Sequence, residues 1–254
     1  MRLVRQRADG GCRSSYHLVM SSSKRPSVVN SLIEALPSRD RRRVLAECEM
    51  VHLVRGEELQ NACGRLAHIF FPTSGFIALI MTIDGTAALE VGLIGNEGAC
   101  GYQLALGVDR SGVQAVVRGG GSALRMSSDS FAGQLAASRP LVRLMGQYVN
   151  VQLNQLAQLV ACTRFHVVEE RLARLLLLTQ DRGGSETLLL THQLLGSILG
   201  VRRVGITKAA GALQARGLIH YSRGRITVLD RRGLRKASCG CYEADRKSYA
   251  QVLE

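Results

Sequence analysis

Apolar residues first cluster at Leu32, Ile33 and Leu36, then at Val44 and Leu45, with Pro37 between the two groups. This spacing predicts a short helix pair over about 30–48, and Ser38, followed by Arg39, Asp40 and Arg41, reads as an N-cap. From Glu49 to Ser127 the pattern changes to short apolar runs broken by Gly, Asn, Asp and Pro. Strands are expected at 49–54, 67–71, 75–83, 87–94, 113–118 and 121–127. Ile83-Asp84-Gly85-Thr86 predicts a hairpin turn, since Gly accepts the positive φ that such turns demand. Many short strands with frequent turns indicate a sandwich or barrel, a jelly roll among them, with a strand order that periodicity leaves open.

Helical periodicity then takes over. Ser128 or Asp129 caps a short helix to about Ser138, and Pro140 suits the first turn of a long helix ending near Thr163. Leu141, Met145, Val149, Leu153, Leu156 and Val160 form a stripe at spacings of three and four, widened by Leu144, Tyr148 and Leu159. Gln152, Asn154, Gln155 and Gln158 keep the remaining face neutral. A stripe this long needs a partner, either the chain's own sheet or a parallel twin from a second subunit. Another helix is expected over about 166–179, carrying Val168, Leu172, Leu175, Leu176 and Leu177, before a loop at Asp181-Arg182-Gly183-Gly184.

The most specific pattern lies between Leu190 and Leu229. Thr191 caps a short helix to Leu199, with Leu194, Leu195, Ile198 and Leu199 apolar, and Gly200 closes it in the left-handed conformation. Val201 and Arg202 complete a tight turn. A second helix follows over about 203–216, with Ile206, Ala209, Ala210 and Leu213 inward, which makes a helix-turn-helix. Its outer side presents Arg202, Arg203, Thr207 and Lys208, residue types that bond base edges and phosphates in the major groove. Leu218-Ile219-His220-Tyr221, Ser222-Arg223-Gly224-Arg225 and Ile226-Thr227-Val228-Leu229 then read as a hairpin whose basic tip, Arg223 and Arg225, would touch backbone phosphate.

Charge supports this assignment through its placement. The net charge is +13. Residues 188–236 carry ten Lys/Arg against one acidic residue, Asp230, whereas 46–187 carry eleven against thirteen. A near-neutral middle joined to a basic segment fits a sensor attached to a polyanion-binding module. A helical hairpin buried in a bundle predicts neither the basic tip nor the scarcity of acid. No run of eighteen apolar residues exists, so no membrane span is expected. The basic, Ser-rich 1–29 segment lacks the apolar core of a secretory signal, which makes the cytoplasm the expected compartment.

The segment Leu195-Gly196-Ser197-Ile198-Leu199-Gly200-Val201-Arg202-Arg203 through Gly217-Leu218-Ile219 resembles the DNA-binding domain of the CRP/FNR family of bacterial regulators. The order of parts agrees over about 31–234. The resemblance implies an α+β chain with a double-stranded β-helix (cupin-like jelly roll) sensor, a long dimerisation helix and a C-terminal winged helix-turn-helix. Its expected divisions are a tail at 1–29, an effector domain resembling cyclic-nucleotide-binding domains at 30–138, the dimer helix at 139–165, the winged domain at 166–236 and a tail at 237–254. It further implies a homodimer seamed by the long-helix stripe, double-stranded DNA with an inverted-repeat site, and RNA polymerase and a small-molecule effector as further partners.

Departures from the family pattern narrow these expectations. Arg203 matches the family's first base-reading Arg, but Val204 stands where a Glu is common, and Lys208 where a later Arg is. The cyclic-nucleotide cassette places Arg-Ser-Ala where this chain has Val113-Gln114-Ala115 ahead of Val116-Val117-Arg118, which argues against cyclic AMP. Arg110 or Arg118 remains as a charge for some other ligand, and Gly95-Asn96-Glu97-Gly98 reads as a structural turn. The iron–sulfur members use an N-terminal cysteine group, and only Cys12 lies in this tail. Cys239-Gly240-Cys241 is the one close cysteine pair, with His220 as its obvious helper; a metal wants four ligands, so these are expected to be structural thiols, with no metal and no cofactor. No catalytic set is found, and His52, His68, Glu90 and Glu97 are too dispersed for a jelly-roll metalloenzyme. An interaction adaptor with a degenerate helix-turn-helix is the other rival, opposed by the intact basic residues.

Overall fold

The computed structural model describes residues 30–84, 87–184 and 187–253. The basic tail with Cys12, and Gly85-Thr86 of the expected hairpin turn, lie outside these residues. Two short helices open the chain, α1 (Ser31–Glu34) and α2 (Ser38–Ala46). Asn30 Oδ1 caps α1, accepting from the Ile33 N–H at 3.3 Å. Pro37, not Ser38, occupies the N-cap of α2, and Ser38 is already helical. Val44 is buried, but Leu45 faces solvent.

The N-terminal sheet holds β1 (Glu49–Leu53), β2 (Glu58–Gln60), β3 (His68–Ile83), β4 (Ala87–Ile94) and β5 (Gln114–Ser127). Its antiparallel order is β1-β5-β3-β4, with β2 also on β5. Sequence breaks at Pro72–Ser74 and Gly119–Gly120 suggest four strands where β3 and β5 are each continuous. Those breaks mark register shifts between Pro72 and Ile77, where the paired strands bend through the roll. β2 is too short to show a period. Inside the roll lie Leu53, Phe70, Ile77, Leu79, Ile94, Val117 and Ala123.

Ser127 caps α3 (Ser128–Ala137), and Ser138 caps α4 (Arg139–Phe165), each hydroxyl accepting from the backbone N–H three residues on. The expected stripe of α4 divides in two. Leu141 and Met145 are 2% and 1% exposed and pack with Ile69, Phe131 and Tyr148 in the protomer's own core. Leu153, Leu156 and Val160 are 60%, 38% and 70% exposed. The N-terminal half of the stripe, in which the expected interface residue Val149 is also buried, therefore packs within the protomer; the solvent-facing positions in line with Leu153 are Val142 and Gly146.

The helix α5 (Val168–Gly183) runs through the expected Asp181–Gly183 loop and ends at Gly184. Arg182 extends it by pairing with Glu97 at 2.7 Å, which also makes Gly95–Gly98 the structural turn expected. After α5 come β6 (Thr187–Leu189), α6 (His192–Leu199), α7 (Arg203–Ala215), β7 (Ile219–Ser222), β8 (Arg225–Val228), α8 (Arg231–Ala237) and α9 (Cys241–Leu253). The 237–254 segment is no tail: α9 packs along α4, burying Tyr249, whose hydroxyl accepts from Gln152 Nε2 at 3.2 Å. One apolar core runs from Ala78, Ile80 and Leu93 of the N-terminal sheet through Leu172 and Leu176 of α5 into Leu195, Ile198 and Leu213. Among the described residues, no helix is long and apolar enough to cross a membrane.

Glu90 on β4 is buried with its Oε2 3.7 Å from Arg118 Nε, and neither atom has a hydrogen-bond partner in the described structure. Burial pushes the Glu90 carboxyl up to about 7, against the pull of Arg118 and Arg182. The folded protein thus holds this proton where the unfolded chain has released it, and stability falls as pH rises from about 4.5 to about 7. Glu90→Gln keeps the neutral shape and removes that slope, a difference of up to about 3 kcal/mol at neutral pH. Urea midpoints measured at about pH 5 and about pH 7.5 should converge in the variant and not in the parent. Equal pH dependence in both proteins would show that Glu90 ionises freely.

Candidate nucleic-acid interface

The winged module is assembled from α6, α7 and the three-stranded sheet β6-β8-β7. Thr191 caps α6, its Oγ1 accepting from the Leu194 N–H at 3.2 Å. Gly200 takes the left-handed conformation at the C-cap, and the Val201 N–H returns to Gly196 O at 2.9 Å. Gly196 is needed for that closure, because a Cβ there would lie 2.9 Å from Val201 O. The tight turn sends α7 across α6, with Ile206, Ala209, Ala210 and Leu213 buried as expected.

Arg202 is the N-cap of α7, in extended conformation and with no side-chain hydrogen bond to the helix. The first N–H groups of α7 are therefore left for a partner, and a helix N-terminus with free N–H groups attracts phosphate. Arg202, Arg203, Thr207 and Lys208 are all exposed, as are Arg223 and Arg225. None of the five cations forms an ion pair among the described residues, whereas neighbouring Arg216, Arg231 and Arg235 pair with Glu169, Asp181 and Glu243. Unpaired cations collected on one module make a site for polyanions. Val204, between Arg203 and Gly205, is an exposed apolar side chain on the same helix start.

The wing is a two-residue hairpin. Arg223 and Gly224 have φ of 47° and 78°, and Ser222 pairs with Arg225, which is the arrangement of a type I′ turn. Strand β6, too short to predict, adds to β8 and completes the sheet. The tip lies beside Thr191, whose Cγ2 is 3.1 Å from where a Cβ on Gly224 would stand.

Two side chains outside the predicted set hold these parts in register. His192 stacks on Tyr221 with ring centroids 4.0 Å apart, and its Nδ1 lies 3.1 Å from Thr207 Oγ1. The Thr207 hydroxyl also lies 3.1 Å from Arg203 O as a donor, so Thr207 is engaged within the module. Partial burial lowers the His192 pKa, and the charge of Arg203 adds to the effect. Gln214 Oε1 accepts from the Tyr221 N–H at 2.7 Å, latching the wing to α7. His192 and Tyr221 are 29 positions apart in the chain, and no local pattern joins them.

The expected pair Cys239 and Cys241 has company from elsewhere. Cys162 and His166, at the end of α4, converge on it, so the helper is His166 and not His220.

Residues 170–237 match the Crp-like helix-turn-helix domain. No curated protein matches the chain in sequence. Solved structures share most of its fold at low identity. FixK2 from Bradyrhizobium japonicum has a TM-score of 0.64 at 13% identity, over 76% of this chain and 98% of that one. CLP, the c-di-GMP-responsive global regulator of Xanthomonas campestris, has a TM-score of 0.62 at 18% identity, over 76% and 99%. A CRP/FNR-family transcriptional regulator from Thermus thermophilus has a TM-score of 0.57 at 20% identity, over 75% and 98%. The chain thus carries a Crp-like helix-turn-helix DNA-binding domain behind a jelly roll and has the fold of the CRP/FNR transcription regulators.

Proposed function

We propose that the protein is a homodimeric, sequence-specific transcription regulator that reads an inverted-repeat operator through the major groove. The observation that carries this reading is the set of exposed, unpaired cations at the start of α7 and the tip of the wing. In this reading Arg203 bonds guanine O6 and N7, Val204 meets a thymine methyl, and Arg223 and Arg225 touch phosphate beside the groove.

Dimerisation is assigned to the exposed face of α4. Val142, Gly146, Leu153, Leu156 and Val160 are exposed and, with the buried Val149 standing between Gly146 and Leu153, follow spacings of three and four, the heptad of a parallel two-helix seam. Two recognition helices on such a dimer address half-sites about 34 Å apart. Because β4 packs directly on α6, an effector that shifts β4 moves the reader, and RNA polymerase is the natural recipient of a change in promoter occupancy.

Selection of bound sequences from a randomised duplex pool should enrich an inverted repeat with half-sites one helical turn apart. On that site Arg203→Ala should lose about 1–3 kcal/mol of discrimination, with random DNA little affected. Arg223→Ala should weaken specific and random DNA alike and reduce the salt slope by about 1. Equal losses on both kinds of DNA for both variants would refute this division of roles. A Leu153→Glu/Leu156→Glu variant should sediment as a monomer and lose the inverted repeat; a variant that stays dimeric would move the seam away from α4.

A further inference from the structure

Where α4 ends, four side chains from two distant segments meet. Cys162 in the last turn of α4 and His166 at its C-cap stand four residues apart, while Cys239 lies on the link from α8 to α9 and Cys241 opens α9. One ligand atom from each lies within 4.8 Å of every other. Cys162 Sγ is 3.7 Å from Cys239 Sγ, and Cys241 Sγ is 3.6 Å from His166 Nδ1. The three thiols are buried and form a cluster separate from the apolar cores.

We propose that Cys162, His166, Cys239 and Cys241 form a mononuclear tetrahedral zinc site. Zinc bonds of about 2.3 Å to sulfur and about 2.0–2.1 Å to nitrogen put tetrahedral ligand atoms about 3.8 Å apart for two sulfurs and about 3.5 Å for sulfur and nitrogen. Both short distances agree with those edges. Three soft thiolates and an imidazole select zinc over calcium, magnesium or manganese. An iron–sulfur cluster sets its ligands on different irons and spreads them across the cluster, for which a span of 4.8 Å leaves no room. A Cys162–Cys239 disulfide accounts for two of the four groups and leaves the approach of His166 and Cys241 without a cause.

The surroundings suit the ion. Three thiolates and one zinc ion carry a net charge of about −1, and Arg171 and Arg174 act electrostatically on Cys162 and Cys239. Arg174 is held by Asp245, with Nη2 at 2.6 Å and Nε at 3.0 Å from Oδ2. Gln158, one turn before Cys162, donates from Nε2 to Cys241 Sγ at 3.0 Å, the kind of outer-shell bond that orients a ligand. Binding releases the three thiol protons to solvent as the sulfurs bond the metal. Cys162 and Cys239 are 77 residues apart, so the ion joins the point where the chain enters the winged module to the point where it leaves.

The test is metal analysis of the full-length protein, purified under reducing conditions without chelator. About one zinc per chain is expected, against close to none in Cys162→Ser/Cys239→Ser and an unchanged content in Cys100→Ser. Cobalt(II) added to the metal-free parent should give the intense red-region bands of a tetrahedral ion and a sulfur-to-cobalt charge-transfer band, both erased by zinc. The cobalt spectrum keeps the test valid if the double variant fails to fold. Reduced parent protein that holds no zinc and gives no such spectrum would overturn the site. So would iron with acid-labile sulfide, or metal-free protein lighter by two hydrogens that reductant restores.

Discussion

The apolar core shared by the N-terminal sheet and the helix-turn-helix governs the remainder of the structure. Leu172 and Leu176 of α5 lie between sheet residues Ala78 and Ile80 on one side and helix-turn-helix residues Leu195, Ile198 and Leu213 on the other. Burying large aliphatic side chains stabilises by about 1.5–3 kcal/mol each, so this core sets the position of α6 on β4 more firmly than any single polar contact. Polar contacts refine it: Arg171 donates to Leu199 O at 2.5 Å, and Arg55 to Leu189 O at 2.6 Å. With α6 fixed, Gly196 and Gly200 set the crossing of α7, and the stack of His192 on Tyr221 sets the wing.

Legibility in the sequence follows the range of the interactions. Thr191, Gly200 and the inward face of α7 act within a few residues of themselves, and local pattern places all of them correctly. The charged face is legible for the same reason, because exposure on a helix follows from its period. Elements governed by distant partners are not. Arg182 looks like part of a loop and is held in α5 by Glu97, 85 positions away. Leu141 and Met145 share a period with Leu153 and Val160, and only the packing of Phe131 and Tyr148 separates their fates. Strand β2, three residues long, has no period to read.

The four-residue cluster escapes the sequence for a sharper reason. Cys162 and His166 have a common ligand spacing on a helix, and Cys239 and Cys241 another on a turn, but each half alone is two ligands short. Only the return of α8 and α9 to the end of α4 brings the halves together, and a return of that length leaves no trace in local pattern. Gln158 shows the same thing on a smaller scale: its place on a neutral helix face gives no hint that it bonds a sulfur.

The return of α9 also bears on how the chain is made. Tyr249, Val252 and Leu253 pack into the cluster that holds Leu32, Ile33 and Phe131. Nascent chains acquire structure from the N-terminus as they leave the ribosome. Here the N-terminal domain lacks one wall until α9 has emerged, so it stands unfinished while the winged module is translated. During that interval the apolar faces of α4 and α1 lack the cover of α9, and the N-terminal core is completed only when residues 241–253 have emerged.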